Sequence, residues 1–200
     1  MIVSPAQINT SIESQYLLCD SLFNAQVFYT EATSGDLGDP VDSSPSILGL
    51  LGLGLNTVNG SLDNTATILD RDAFTFTVAS GQQLDSLSFT SLTGDAHFFA
   101  LSNQNAPVST FSASGNYYTS LIDSGNVGVN LLDGTINIFQ SGPSPSGPLG
   151  PGDYTFWFQE TDGSVVPYGL SLTTSSVPEP SAVLGLLVAG GLMCLRRRIY

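Results

Sequence analysis

The feature that most limits what this chain can fold into is a period of two in its apolar residues. In AFTFTVAS, residues 73–80, Phe74, Phe76 and Val78 fall on one side of an extended chain, and Thr75 and Thr77 fall on the other. That spacing sets one face against a core and the other against water. LDSLSFTSL, residues 84–92, repeats the pattern with Leu84, Leu87 and Phe89, and the step from Leu84 to Leu87 is out of phase, as at a β-bulge. INIFQ from Ile136, YTFWFQE from Tyr154 and YGLSL from Tyr168 read as further strands, bounded by Gly, Asn, Asp and Pro. No amphipathic segment of helix length separates them, so the crossover helices of a parallel sheet are missing. The expected fold is all-β, an antiparallel, jelly-roll-like β-sandwich of roughly eight to ten strands over residues 26–174.

Three stretches depart from the alternation. ILGLLGLGLNTV, from Ile47 to Val58, is apolar, but its glycines argue against a stable helix, and it is expected to lead into the body as a strand with close backbone packing. SGPSPSGPLGPG, from Ser141 to Gly152, cannot join a central strand and is expected to be a long exposed connector. Residues 1–25 hold no Lys or Arg and no apolar run of secretory length. Ile12, Tyr16, Cys19 and Phe23 would share one face of a short helix, the alternative being disorder.

Charge narrows the range of partners. Seventeen Asp and Glu stand against four Arg and no Lys, a formal net charge of −13, which excludes a nucleic-acid phosphate backbone as a natural partner. Cys19 and Cys194 are the only cysteines, and no disulfide between them is expected.

The chain ends TSSVPEPSAVLGLLVAGGLMCLRRRIY, in which a polar linker (175–180) precedes a hydrophobic segment (181–200). Pro178 and Pro180 fix φ and remove backbone donors, so Glu179 is held in an extended peptide open to a processing enzyme. The apolar run Ala182–Leu195 would span about 21 Å as a helix, against a hydrocarbon core of roughly 30 Å. Snorkelling Arg196, Arg197 and Arg198 would extend it to a marginal span and remain cytoplasmic, leaving the acidic body outside. Were the chain cut after Glu179, its 17 acids would face Arg71 alone, a net charge of −16.

The segment VPEPSAVLGLLVAGGLMCLRRR resembles the PEP-CTERM sorting signal of exopolysaccharide-producing bacteria. The resemblance implies that Val177, Pro178, Glu179 and Pro180 form a processing signal for a membrane-embedded exosortase, and that Arg196–Arg198 set the membrane topology. It also implies export to the cell surface or an extracellular matrix, in association with exopolysaccharide or biofilm. Members of that family carry an amino-terminal secretion signal, so a basic and apolar segment is expected to be encoded upstream, with the mature body starting near Ala25. Within the body, GSLDNTATILDRDAFTFTVASGQQL, GDYTFWFQET and YGLSL resemble the bacterial pre-peptidase C-terminal domain, with Asp72, Phe74, Phe76, Gly81, Gly152 and Tyr154 at the matching positions.

Few residues are suited to catalysis. His97 is the only histidine and has no Ser or Cys nucleophile motif beside it, so it is expected to be an ordinary strand residue, and the protein no enzyme. Asp63, Asn64, Asp70 and Asp72 converge on the loop before the Phe-rich strand, which makes Asp70 and Asp72 candidate Ca²⁺ ligands, or merely turn residues that cap backbone groups. Trp157 faces away from Phe156 and Phe158, and an exposed indole there would be a platform for carbohydrate. The function expected is a non-enzymatic surface protein, with a carbohydrate- or calcium-binding module as the alternative.

Overall fold

The structure, a computed structural model, describes residues 26–38, 45–65, 70–103, 118–134, 146–160 and 163–178. Where the apolar residues alternate, the chain forms long strands. In chain order these are β1 (Phe28–Thr30), β2 (Ser46–Leu50), β3 (Gly54–Asp63), β4 (Arg71–Val78), β5 (Gln82–Leu92), β6 (His97–Ser102), β7 (Tyr118–Ile122), β8 (Gly152–Glu160) and β9 (Val165–Ser176). A short helix, α1 (Glu31–Ser34), follows β1, and two 3-10 turns lie at Ser124–Asn126 and Leu131–Asp133. The strands make two sheets, β1-β3-β9-β5 and β2-β4-β8-β6-β7, so the chain is an all-β sandwich. Strand β9 runs two residues past 174, to Ser176.

The period of two becomes the two faces of each sheet. Phe74 and Phe76 of β4, Phe156 and Phe158 of β8, Phe89 of β5 and Leu170 and Leu172 of β9 are buried between the sheets. Phe156 is the hub: its ring lies 5.3 Å from Phe74, 6.2 Å from Phe89 and 6.0 Å from Phe99, the spacing at which aromatic rings attract beyond simple burial. The out-of-phase step in β5 is a register shift between Leu84 and Ser86, opposite Thr174 and Thr173 of β9, as the bulge reading expects.

Two expectations need correction. The sandwich is not purely antiparallel, because β1 pairs with β3, and β2 with β4, in parallel. Neither pair needs a crossover helix, since the strand between its members in sequence belongs to the opposite sheet. The Pro- and Gly-rich connector is also not wholly exposed: Leu149 is buried and exchanges backbone hydrogen bonds of 2.8 and 2.9 Å with Leu84 on edge strand β5. An edge strand accepts such a partner where a central strand could not. ILGLLGLGL becomes β2 and the start of β3 on either side of a bend at residues 51–53, with Leu51 buried and Ile47, Leu50 and Leu55 exposed.

No helix among the described residues is long and apolar enough to cross a membrane. Residues 1–25, the strand expected at Ile136 and the hydrophobic helix expected over 181–200, with Arg196–Arg198, lie outside the described residues. Because Phe156 joins both sheets through ring contacts, Phe156→Ala is expected to lower unfolding stability by about 3–5 kcal/mol, read as a fall in the urea midpoint.

Candidate functional site

Alternation along β4 carries past the aromatic residues to an acid. Asp72 has the phase of Phe74 and Phe76, so it points into the sandwich and is fully buried. Tyr168 of β9, in phase with Leu170 and Leu172, reaches it from the opposite sheet and donates its hydroxyl to Asp72 Oδ2 at 2.7 Å. Tyr168 lies across Gly60, its partner on β3, and a Cβ at Gly60 would sit 2.5 Å from the Tyr168 hydroxyl. Gly60 is therefore the residue that lets the ring cross to Asp72. Asp72 Oδ1 is buried and has no hydrogen-bond partner.

Two further carboxylates come from the strap between β1 and β2. After β1 leaves the edge of one sheet, the chain turns through α1 and reaches the edge of the other, where Ala73 N–H donates to the Gly38 carbonyl at 2.9 Å. Glu31 holds this strap down: its Oε1 accepts from Leu37 N–H at 3.1 Å and its Oε2 from Ser61 N–H at 2.6 Å. Glu31, Asp36 and Asp72 each offer an oxygen within 4.8 Å of the other two. The set is graded, from exposed Asp36 through half-buried Glu31 to buried Asp72, so it opens to solvent on one side.

The electrostatics of this group are unfavourable without a positive partner. Burial, followed by repulsion from Glu31, pushes the Asp72 carboxyl up to about 9, against the pull of the Tyr168 hydrogen bond. Burial also raises Glu31, opposed by the bonds from the Leu37 and Ser61 amides. Tyr168 is driven well above the usual phenol range by burial and by its carboxylate neighbour. Oxygens bound to one Ca²⁺ at 2.3–2.6 Å can be at most about 5 Å apart, which the three carboxylates satisfy. A divalent cation would fit this donor set, and Asp72 Oδ1 is a buried acceptor with no hydrogen-bond donor.

The loop acids meet only in part. Asp70 Oδ2 accepts from Asp63 N–H at 2.7 Å, and Asn64 Oδ1 accepts from Asp70 N–H at 2.9 Å, so these three residues form one hydrogen-bonded turn. Asp72 is turned into the interior instead. Its triad partners Glu31 and Asp36 were absent from the sequence candidates, and only the phase of Asp72 with Phe74 hinted that this acid is buried.

Trp157 does face away from Phe156 and Phe158, but it is not an exposed platform. It lies between Ala73 and Ala100, its neighbours on β4 and β6, and is 3% exposed, so a sugar ring has almost no indole surface to stack on. His97 is fully buried, with Nδ1 2.5 Å from Glu160 Oε2 and its ring 5.6 Å from that of Phe158. It is a strand residue with a buried partner and is closed to substrate. Val177 is exposed, and its N–H donates to the Gly81 carbonyl at 2.8 Å; Pro178 follows, exposed, and Glu179 and Pro180 lie outside the described residues.

No family model matches the chain, and no curated protein is similar to it. Among solved structures, the pre-peptidase C-terminal domain of a collagenase from Bacillus anthracis is similar over 67% of this chain and 100% of its own length, at 16% identity and a TM-score of 0.38.

The raised carboxyls set the pH dependence of the cation-free protein. An unfolded Asp titrates near 3.9, whereas Asp72 in the folded protein titrates at about 9. Between those values the folded state keeps a proton the unfolded chain has lost, so this stability is complete below about pH 4 and disappears as the pH rises through about 9. In a chelator, the urea midpoint is expected to fall from about pH 5 to about pH 8. Asp72→Asn should flatten that slope.

Proposed function

We propose that this chain is an exported, non-catalytic β-sandwich whose acidic triad holds a Ca²⁺ ion between the Phe28–Gly38 strap and the two sheets. The observation that carries the cation reading is the triad itself: three carboxylates within 4.8 Å, one of them buried with an unpartnered oxygen. Ca²⁺ suits an all-oxygen set, and the ion would replace the proton that Asp72 otherwise retains. Its role is structural, since Glu31 and Asp36 come from the strap and Asp72 from β4. In this reading Asp70 belongs to the neighbouring turn and Asp72 is the ligand.

The export reading is supported by the tail sequence. A Pro-Glu-Pro head, a short apolar run and three arginines suit a temporary membrane tether that an exosortase-type enzyme processes, after which the acidic body joins a polysaccharide-rich surface or matrix.

Calorimetric titration with Ca²⁺ tests the first part. A saturable heat is expected, with thermal stabilisation of about 2.7 kcal/mol at a hundredfold excess over Kd. Both are lost in Glu31→Gln and Asp72→Asn and kept in Asp70→Ala, and a titration without heat or shift would rule out the ion. Mass spectrometry of the mature carboxyl terminus from native cells tests the second part. The expected chain ends near Pro180; recovery of intact Arg196–Arg198 in the surface fraction would refute processing.

A further inference from the structure

We propose that the pole of the sandwich from which β9 hands over to the tail is a lipid-contacting foot, with Ile47, Leu50, Leu55 and Val177 resting in the interfacial layer of a bilayer. This rests on the reading of the tail as a membrane tether. Strand register puts the four residues at the same end of the sandwich, Ile47 and Leu50 on one sheet and Leu55 and Val177 on the other. Leu50 is opposite Thr77 near the end of β4, Ile47 opposite Thr75, and Leu55 opposite Thr173 near the end of β9. Val177 is the residue after β9 and is bonded to Gly81 in the turn beyond β4. All four are large apolar side chains turned to solvent, Ile47 at 85%, Leu50 at 57%, Leu55 at 47% and Val177 at 42% exposure. Of the other exposed apolar residues, Val127 and Val165 lie apart from this pole and Phe28, opposite Thr57, stands just above it.

Chain length brings this pole to the membrane. From Val177 to Ala182, where the apolar run starts, there are five residue steps, which reach at most about 18 Å when fully extended. The polar layer on each side of the hydrocarbon core is about 5–7 Å deep. A tail seated in the bilayer therefore keeps the foot within a short distance of the headgroups, where exposed Leu and Ile side chains gain from burial.

The tail's point of departure sets the direction. The triad, Asp63, Asp70, Arg71 and Asp95 lie toward the opposite pole, and the eight steps of β9 from Tyr168 to Ser176 put roughly 27 Å between the triad and the foot. Near the foot stand Asp85, Asp133 and Asp153: Asn130 Nδ2 donates to the Asp85 carbonyl and to Asp133 Oδ1, and Asp153 accepts from Thr77 Oγ1 at 2.6 Å. The tail leaves the body at Val177, so a seated tail brings the foot, and not the triad pole, to the membrane. A second copy is the less suitable occupant. The exposed strand here, β2, carries a register shift between Ile47 and Gly49, and Gly49 has φ 81°, a bulged edge of the kind that blocks strand addition. Upright docking holds Pro178 at the membrane surface, within reach of an enzyme embedded there.

The test uses the full chain with Cys19→Ser and Cys194→Ala and one spin-labelled cysteine, at Leu50→Cys or at exposed Asp95→Cys. It is reconstituted in phosphatidylcholine–phosphatidylglycerol vesicles and read by power saturation with oxygen and with a water-soluble nickel chelate. The label at 50 is expected to be several-fold less accessible to nickel than the label at 95, and more accessible to oxygen. Equal nickel accessibility at both sites in chain that floats with the vesicles would overturn the foot and leave the tether reading standing. Failure of the chain to float at all would overturn both. Shielding at 50 that is already complete without vesicles would mean that protein covers the patch, and would also overturn the proposal.

Discussion

The two sheets depend on a slab of aromatic rings between them, centred on Phe156 and closed from the other side by Phe89. Packed sheets stand about 10 Å apart, a gap that interlocking Phe side chains from β4, β5, β6 and β8 fill. The chain supplies these rings only at alternate positions, so every strand must present the same phase to the centre. That requirement draws Asp72 inward. It is one step beyond the Phe74–Phe76 series, and β4 cannot bury two phenylalanines without burying the acid in line with them.

A buried carboxyl that has lost water must gain a proton, a hydrogen bond or an ion. Tyr168 supplies the hydrogen bond to one oxygen, and it can do so because Gly60 leaves space for the ring. The other oxygen is left over. Glu31 and Asp36 stand near this carboxyl, and their charge favours its protonated form further. The same Glu31 fastens the strap to Ser61 and Leu37, which ties the charge state of the triad to the placement of the segment joining the two sheets.

How much of this could be read in advance follows from which contacts are local. The strands β4, β5, β8 and β9, the bulge after Leu84 and the face of Trp157 all follow from spacing within one segment, and the sequence displays them directly. The parallel edges do not, because they depend on successive strands passing to opposite sheets. Trp157 is buried in one cluster with Ala73 and Ala100, set beside it by β-sheet register, and neither alanine signals this in isolation. His97 and Glu160 meet in the same way, across β6 and β8. Glu31 and Asp36 lie in a segment with no apolar period, and their approach to Asp72 is set by the path of the strap. The loop acids Asp63 and Asp70, close in sequence, instead satisfy backbone amides in their own turn.

Strand β9 joins the two ends of the molecule. It is paired on both sides, with β3 and with β5, so Tyr168 near its start and Ser176 at its finish are fixed relative to each other. The last described backbone bond along the chain is Val177 N–H to the Gly81 carbonyl, and Pro178, with no N–H, cannot prolong the ladder. A cut near Pro180 would therefore remove no rung formed among the described residues. Such a cut would move the net charge from −13 to −16, because the three arginines of the tail would leave. Release would make the body more self-repelling.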